Sequence, residues 1–147
     1  MLSRISLASV FVLAMAAPAI AADACGDAPY APAIDKPAAI ASKSVDAARA
    51  ELMDQYKEVK AYQGQLKDFR ACLEGQDRQD KIALRAAQQK KDKDSEVARI
   101  QGQIDDRKKT YDATVDSETQ VATDFNTLHT AHCARDTDTT VCPQKKQ

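Results

Sequence analysis

The chain has 147 residues, 29% of them charged, yet its 21 Lys and Arg and 22 Asp and Glu cancel to a formal net charge of -1. That balance removes the global field that draws nucleic acid or an anionic membrane to a protein. Aromatics at 5% and the absence of Trp argue against a thick globular core. Abundant Ala, Gln, Lys, Asp and Arg predict long, thin, solvent-bathed helices, so the expected fold class is all-α.

Arg4 followed by the apolar run Ile5 to Ala17 and by Ala19-Ile20-Ala21 has the charge, hydrophobic and small-residue pattern of a secretory signal peptide, assigned to residues 1–21. The run is shorter than the ~20 apolar residues that span a bilayer. Nothing later in the chain suits a membrane span, so no integral membrane segment is expected after cleavage. Cys25 follows Ala22, Asp23 and Ala24, which make a poor lipid-attachment box. The expected location is periplasmic or secreted. Four cysteines exported into an oxidising compartment predict two disulfides.

Residues 22–43 read as a Pro-rich extended N-terminal arm, in which Pro29, Pro32 and Pro37 block regular helix and Cys25 pins a strap. Residues 44–132 read as a long, antiparallel, coiled-coil-like two-helix hairpin. Ser42 or Ser44 caps its first helix, with Asp46 and Glu51 complementing the positive helix end. Leu52, Tyr56, Val59, Tyr62, Leu66, Phe69 and Leu73 mark one apolar face at steps of three and four. Gly64 interrupts this segment and suggests a close approach of another backbone.

Two stretches look like turns, Gly75 to Asp80 and Lys90 to Ser95, and pairing register chooses between them. A reversal near 92–95 sets Val59 against Leu128, Tyr62 against Phe125, Leu73 against Val115 and Leu84 against Ile104. Reversal at Gly75 leaves the stripe from Tyr111 to Leu128 without a partner. With the later turn, Ser95 caps a second helix whose buried stripe is Val97, Ile100, Ile104, Tyr111, Val115, Val121, Phe125 and Leu128. Bending or fraying is expected around Gln76, Asp80, Arg107 and Lys108, where the seam turns polar.

In that register Cys133 lies ~27 Å along the hairpin from Cys72, beyond disulfide reach. Cys133 therefore pairs with Cys142 in a loop opening a 133–147 segment whose end is expected to be disordered. Cys25 pairs with Cys72, because Cys72 lies ~42 Å up the helix from Ser44 and the arm extends to ~60 Å.

VKAYQGQLKDFRACL, followed by YDATVDSETQVATDFN and preceded by a leader rich in Cys and Pro, resembles a group of small exported helical-hairpin proteins of proteobacteria. The shared pattern falls on Tyr62, Ala71, Cys72, Leu73, Tyr111, Ala113, Val115, Asp116, Phe125 and Asn126. The group has no established activity, so the resemblance implies location and shape alone. The Cys133 and Cys142 loop lies outside it.

No catalytic constellation is expected. Asp105 with Asp106 and Asp92 with Asp94 are carboxylate pairs of charged helices and turns, and no Gly-rich phosphate loop or nucleophile elbow occurs. Lys90, Lys91 and Lys93 are offset by Asp92 and Asp94. His129 and His132 are the weak metal candidates, since a closed site needs Cys133 reduced or a carboxylate such as Asp136. No cofactor is predicted. The residues point to a non-enzymatic exported protein of the cell envelope that works through helical protein–protein contact or self-association. Its interaction seam is Val59, Tyr62, Leu66, Phe69, Leu73, Tyr111, Val115 and Phe125. A periplasmic chaperone-like client-binding hairpin is the alternative, though the repeated L-T-x-x-Q motif of one such family is absent, and metal binding through His129 and His132 is a third, weaker reading.

Overall fold

The computed structural model describes residues 24–138 and 140–142. The expected signal peptide and the last residues of the tail lie outside them. Three helices, α1 (Pro37–Ala41), α2 (Val45–Ala87) and α3 (Asp94–Cys133), follow in order, with no strand among the described residues. α2 and α3 pack along each other as an antiparallel pair. At 43 and 40 residues they are about 65 and 60 Å long.

From Ala48 to Leu73 the buried positions of α2 fall at Ala48, Leu52, Gln55, Val59, Tyr62, Leu66, Phe69 and Leu73, alternating steps of four and three without a slip. On α3 the buried residues Ile100, Thr114, Val121 and Leu128 lie on a seven-residue lattice, with half-buried Arg107 filling its missing step. This is the repeat of a two-helix seam. Its core divides into two clusters, Ile40, Ala48, Leu52 and Leu128 in one and Val59, Tyr62, Leu66 and Val121 in the other. Ile34 and Phe125 pack against both.

The hairpin reverses earlier than expected, through residues 88–93, and Ser95 lies inside the first turn of α3 instead of capping it. Asp94 and Glu96 place negative charge at that helix start, where unpaired amides favour it. Lys90 reaches across to Glu96 at 2.7 Å. Moving the turn centre back by about three residues slides α3 along α2 by about six, close to one heptad. Leu128 therefore packs on Leu52 and Ala48 instead of Val59, and apolar positions still meet apolar positions.

Two further expectations are corrected. Pro37 does not block helix; it occupies the first turn of α1, where a missing amide hydrogen costs nothing. Gly64 has open space where a side chain would stand, so no backbone approaches it. The polar stretch in α2 from Gln76 to Asp80 does not interrupt the helix. Of the two cap candidates, Ser44 takes the role, its hydroxyl accepting from the Ala47 amide at 3.3 Å.

Both disulfides join the expected partners, Cys25 with Cys72 and Cys133 with Cys142, at Cα separations of 5.7 and 5.3 Å. Cys25 therefore has no free sulfur to carry a lipid. Gly26, just after Cys25, takes a φ of 71°, a backbone state that suits glycine. From residue 28 to 36 the chain has neither helix nor strand. It is held where the Asp35 amide donates to Gln55 Oε1 at 3.1 Å and Gln55 Nε2 donates to the Asp35 carboxylate at 2.7 Å.

Candidate interaction surface

Burial sorts the seam residues into two groups. Val59, Tyr62, Leu66, Phe69 and Leu73 are buried, and Tyr111 and Phe125 are half-buried. Val115 is 40% exposed, and Thr114 takes the inward position beside it. The seven-residue lattice explains the substitution: a branched apolar residue next to a threonine draws the eye, but the period selects the threonine. Apart from Val115, then, these residues chiefly form the protein's own core. Large apolar side chains that do face outward include Tyr30, Met53, Tyr56 and Ile82, with Ile82 62% exposed.

Polar residues stand at several seam positions, and each has a partner. Tyr62 Oη and Ser117 Oγ share a hydrogen bond of 2.8 Å. Arg70 donates to Thr114 Oγ1 at 2.8 Å and to Glu118 at 2.6 Å, and lies over the Tyr111 ring at 5.7 Å. Arg107 pairs with Asp80 at 2.6 Å. One guanidinium nitrogen of each arginine, Arg70 Nη2 and Arg107 Nη1, is buried without a protein partner. Spacing alone did not mark Arg70, Arg107 or Gln55, because a polar residue in a buried lattice position reads as a break until its partner is known.

The base of the hairpin is tied most heavily. Asp136, buried, accepts from Arg49 Nε at 2.7 Å and Arg49 Nη2 at 2.8 Å, from His132 Nε2 at 2.8 Å and from the Asp138 amide at 3.0 Å. Hydrogen bonding from Arg49, then from the Asp138 amide, holds its carboxyl well below the usual carboxylate range. Arg135 donates to the carbonyls of Ile40 and Lys43, each at 2.7 Å, closing the α1 end. Lys43 also pairs with Glu51.

His129 and His132 do not point to a common partner. His129 Nε2 donates to the Val141 carbonyl at 2.9 Å, whereas His132 Nε2 donates to Asp136. Asp92, Asp94, Asp105 and Asp106 are all exposed.

Toward the tip the picture changes. Beyond Leu73 the buried apolar residues are Ala87 and Ile100. A cavity of ≈ 200 Å³ opens on one side of the pair, with Leu73, Ile104 and Tyr111 among its walls and Asp77, Lys81 and Lys108 at its rim. A larger, more polar groove of ≈ 710 Å³ adjoins the Cys72 end, between Gln76, Asp80, Gln103 and Arg107. No helix among the described residues is long and apolar enough to cross a membrane. The fold and surface define an all-α helical hairpin carrying two disulfides. Comparison with family models, with curated proteins and with solved structures gives no match.

Proposed function

We propose that this is a non-enzymatic exported protein of the cell envelope whose distal hairpin makes helix-to-helix contact with a second protein surface, first of all another copy of itself. The N-terminal arm acts as an extended strap in this reading. Its anchors at Cys25–Cys72 and Asp35–Gln55 lie 17 residues apart on α2, or about 26 Å, and ten residues cover that distance only when drawn out. The strap thus fills a groove beside the basal half and ends at Cys72.

The observation that carries the proposal is this unequal covering. From Cys72 to the turn the two helices bury few apolar residues of their own and keep a cavity walled by Leu73, Ile104 and Tyr111. A two-helix pair buries one narrow seam per helix, and a further helix laid in its groove completes that core. The signal-like N-terminus, the resemblance to exported hairpin proteins and two disulfides support an oxidising compartment.

Sedimentation equilibrium of the oxidised mature protein across a wide concentration range tests the reading. A concentration-dependent dimer or tetramer that Ile82→Lys weakens is the expected result. A strict monomer that also leaves helical partners from periplasmic extract unbound, while suppressing aggregation of unfolded clients, would replace it with the client-binding hairpin.

A further inference from the structure

The residues after α3 gather two histidines and two cysteines around the end of that helix. His129 Nε2 lies 3.5 Å from Cys133 Sγ. The ligand atoms of His129, Cys133 and Cys142 all fall within 4.8 Å of one another. Zinc held tetrahedrally by thiolate at ~2.3 Å and imidazole at ~2.1 Å puts sulfur and nitrogen ~3.6 Å apart. The His129 and Cys133 atoms already stand at that spacing.

We propose that the Cys133–Cys142 disulfide locks a zinc(II) site: once a dithiol reductant opens it, Cys133, Cys142 and His129 supply three ligands to one Zn²⁺, and solvent takes the fourth position. The electron balance is simple. The dithiol gives two electrons and two protons to the Cys133–Cys142 bond and becomes a disulfide itself. Binding of Zn²⁺ then releases both new thiol protons to solvent. The His129 ring proton moves from Nε2 to Nδ1, and its hydrogen bond to the Val141 carbonyl is given up for the metal.

Reduction ordinarily sets a loop free and scatters its thiols. This loop has other tethers. Arg49 grips Asp136 through two hydrogen bonds and reaches Asp138 at 3.4 Å. His132 holds Asp136 from the helix side, and the Arg135 guanidinium is bonded to the Ile40 and Lys43 carbonyls. Cys142 is itself buried, its amide bonded to the Asp138 carbonyl at 2.8 Å. The two thiols therefore stay beside His129 after the covalent link has gone. A thiolate and imidazole donor set suits zinc better than the hard cations magnesium and calcium. Asp136 is committed to Arg49 and keeps His132 in place near Cys142.

The test uses the full mature chain, reduced with a water-soluble phosphine and titrated with Zn²⁺ or with Co²⁺ as a spectroscopic probe. The expected result is one metal ion per chain, with thiolate-to-cobalt charge transfer and tetrahedral ligand-field bands that the oxidised protein never shows. A Cys25→Ser/Cys72→Ser variant keeps only the C-terminal pair and is expected to give the same bands after reduction. Loss of an outer-shell partner alone weakens metal sites ~10–100-fold, so His129→Ala is expected to lower zinc affinity by at least ~10-fold. Helicity is followed by circular dichroism in parallel, and metal-driven recovery of lost helix counts in favour. Absence of the bands in the reduced chain, whether helical or not, overturns the proposal. So does undiminished binding in His129→Ala or in Cys133→Ser/Cys142→Ser.

Discussion

The two halves of this hairpin are built to different standards. The basal half, below Cys72, has both apolar clusters, the arm, α1 and the Arg49–Asp136–His132 network, with a disulfide at each end. In the distal half the two helices are joined by Asp80–Arg107 at its inner end and by the short turn closed by Lys90 and Glu96. A helix pair gains stability from what covers its grooves, and among the described residues the covering elements lie on the basal half.

The largest expected way to break this contrast is to cut the staple that divides the halves. Cys25→Ser/Cys72→Ser is expected to lower stability by ~4 kcal/mol, from the 47-residue separation that the bond closes. Chemical denaturation reads it directly. Hydrogen exchange is expected to show amides around Cys72 losing protection, because the arm is released there while Asp35 still holds Gln55.

Leu128→Ala comes next, at about 3 kcal/mol, because its side chain is fully buried between Ala48, Leu52 and Ile40. Acid works on the same region. Asp136 has a folded pKa below its unfolded value of about 3.8, so its contribution is present above that value and is lost as pH falls through the ordinary carboxylate range. Wild type is expected to lose denaturation midpoint as pH drops from about 5 to 3. Asp136→Asn is expected to start lower and fall less steeply.

Smaller effects sharpen the comparison. Gly64→Ala is expected to raise stability by ~0.5–1 kcal/mol, since the added methyl meets open space in a helix interior. Ile82→Lys, at an exposed distal site, is expected to change monomer stability by no more than ~0.5 kcal/mol. A larger loss there would mean that the distal half has a core of its own.

The sequence made the basal seam legible because Leu52, Val59, Leu66 and Leu73 repeat without interruption and the four cysteines leave few geometries open. It made the second helix less legible for a physical reason. α3 fills its buried face with Arg107 and Thr114, whose partners Asp80 and Arg70 lie far away in the chain, and with His132, held by Asp136 one turn further on. Periodicity detects hydrophobic side chains, and it passes over a polar one whose cost of burial is met by a partner. That is why the apolar pattern points to Val115 while the structure buries Thr114. α1 escaped for a related reason: Pro37 forbids the middle of a helix but suits its first turn, and the five-residue helix rests on Ile40 reaching Leu52 and Leu128.

The register difference has a further consequence. Sliding α3 by about one heptad sets Leu128 on Leu52 instead of Val59, one apolar partner for another, so the apolar stripes alone describe a family of nearly degenerate hairpins. A vernier is needed to select one line of the scale. Tyr62 with Ser117 and Arg70 with Thr114 supply it, because a slide of one heptad, about 10 Å, would carry each pair out of hydrogen-bond reach. The polar residues that make this seam look flawed are the marks by which the two helices find their alignment.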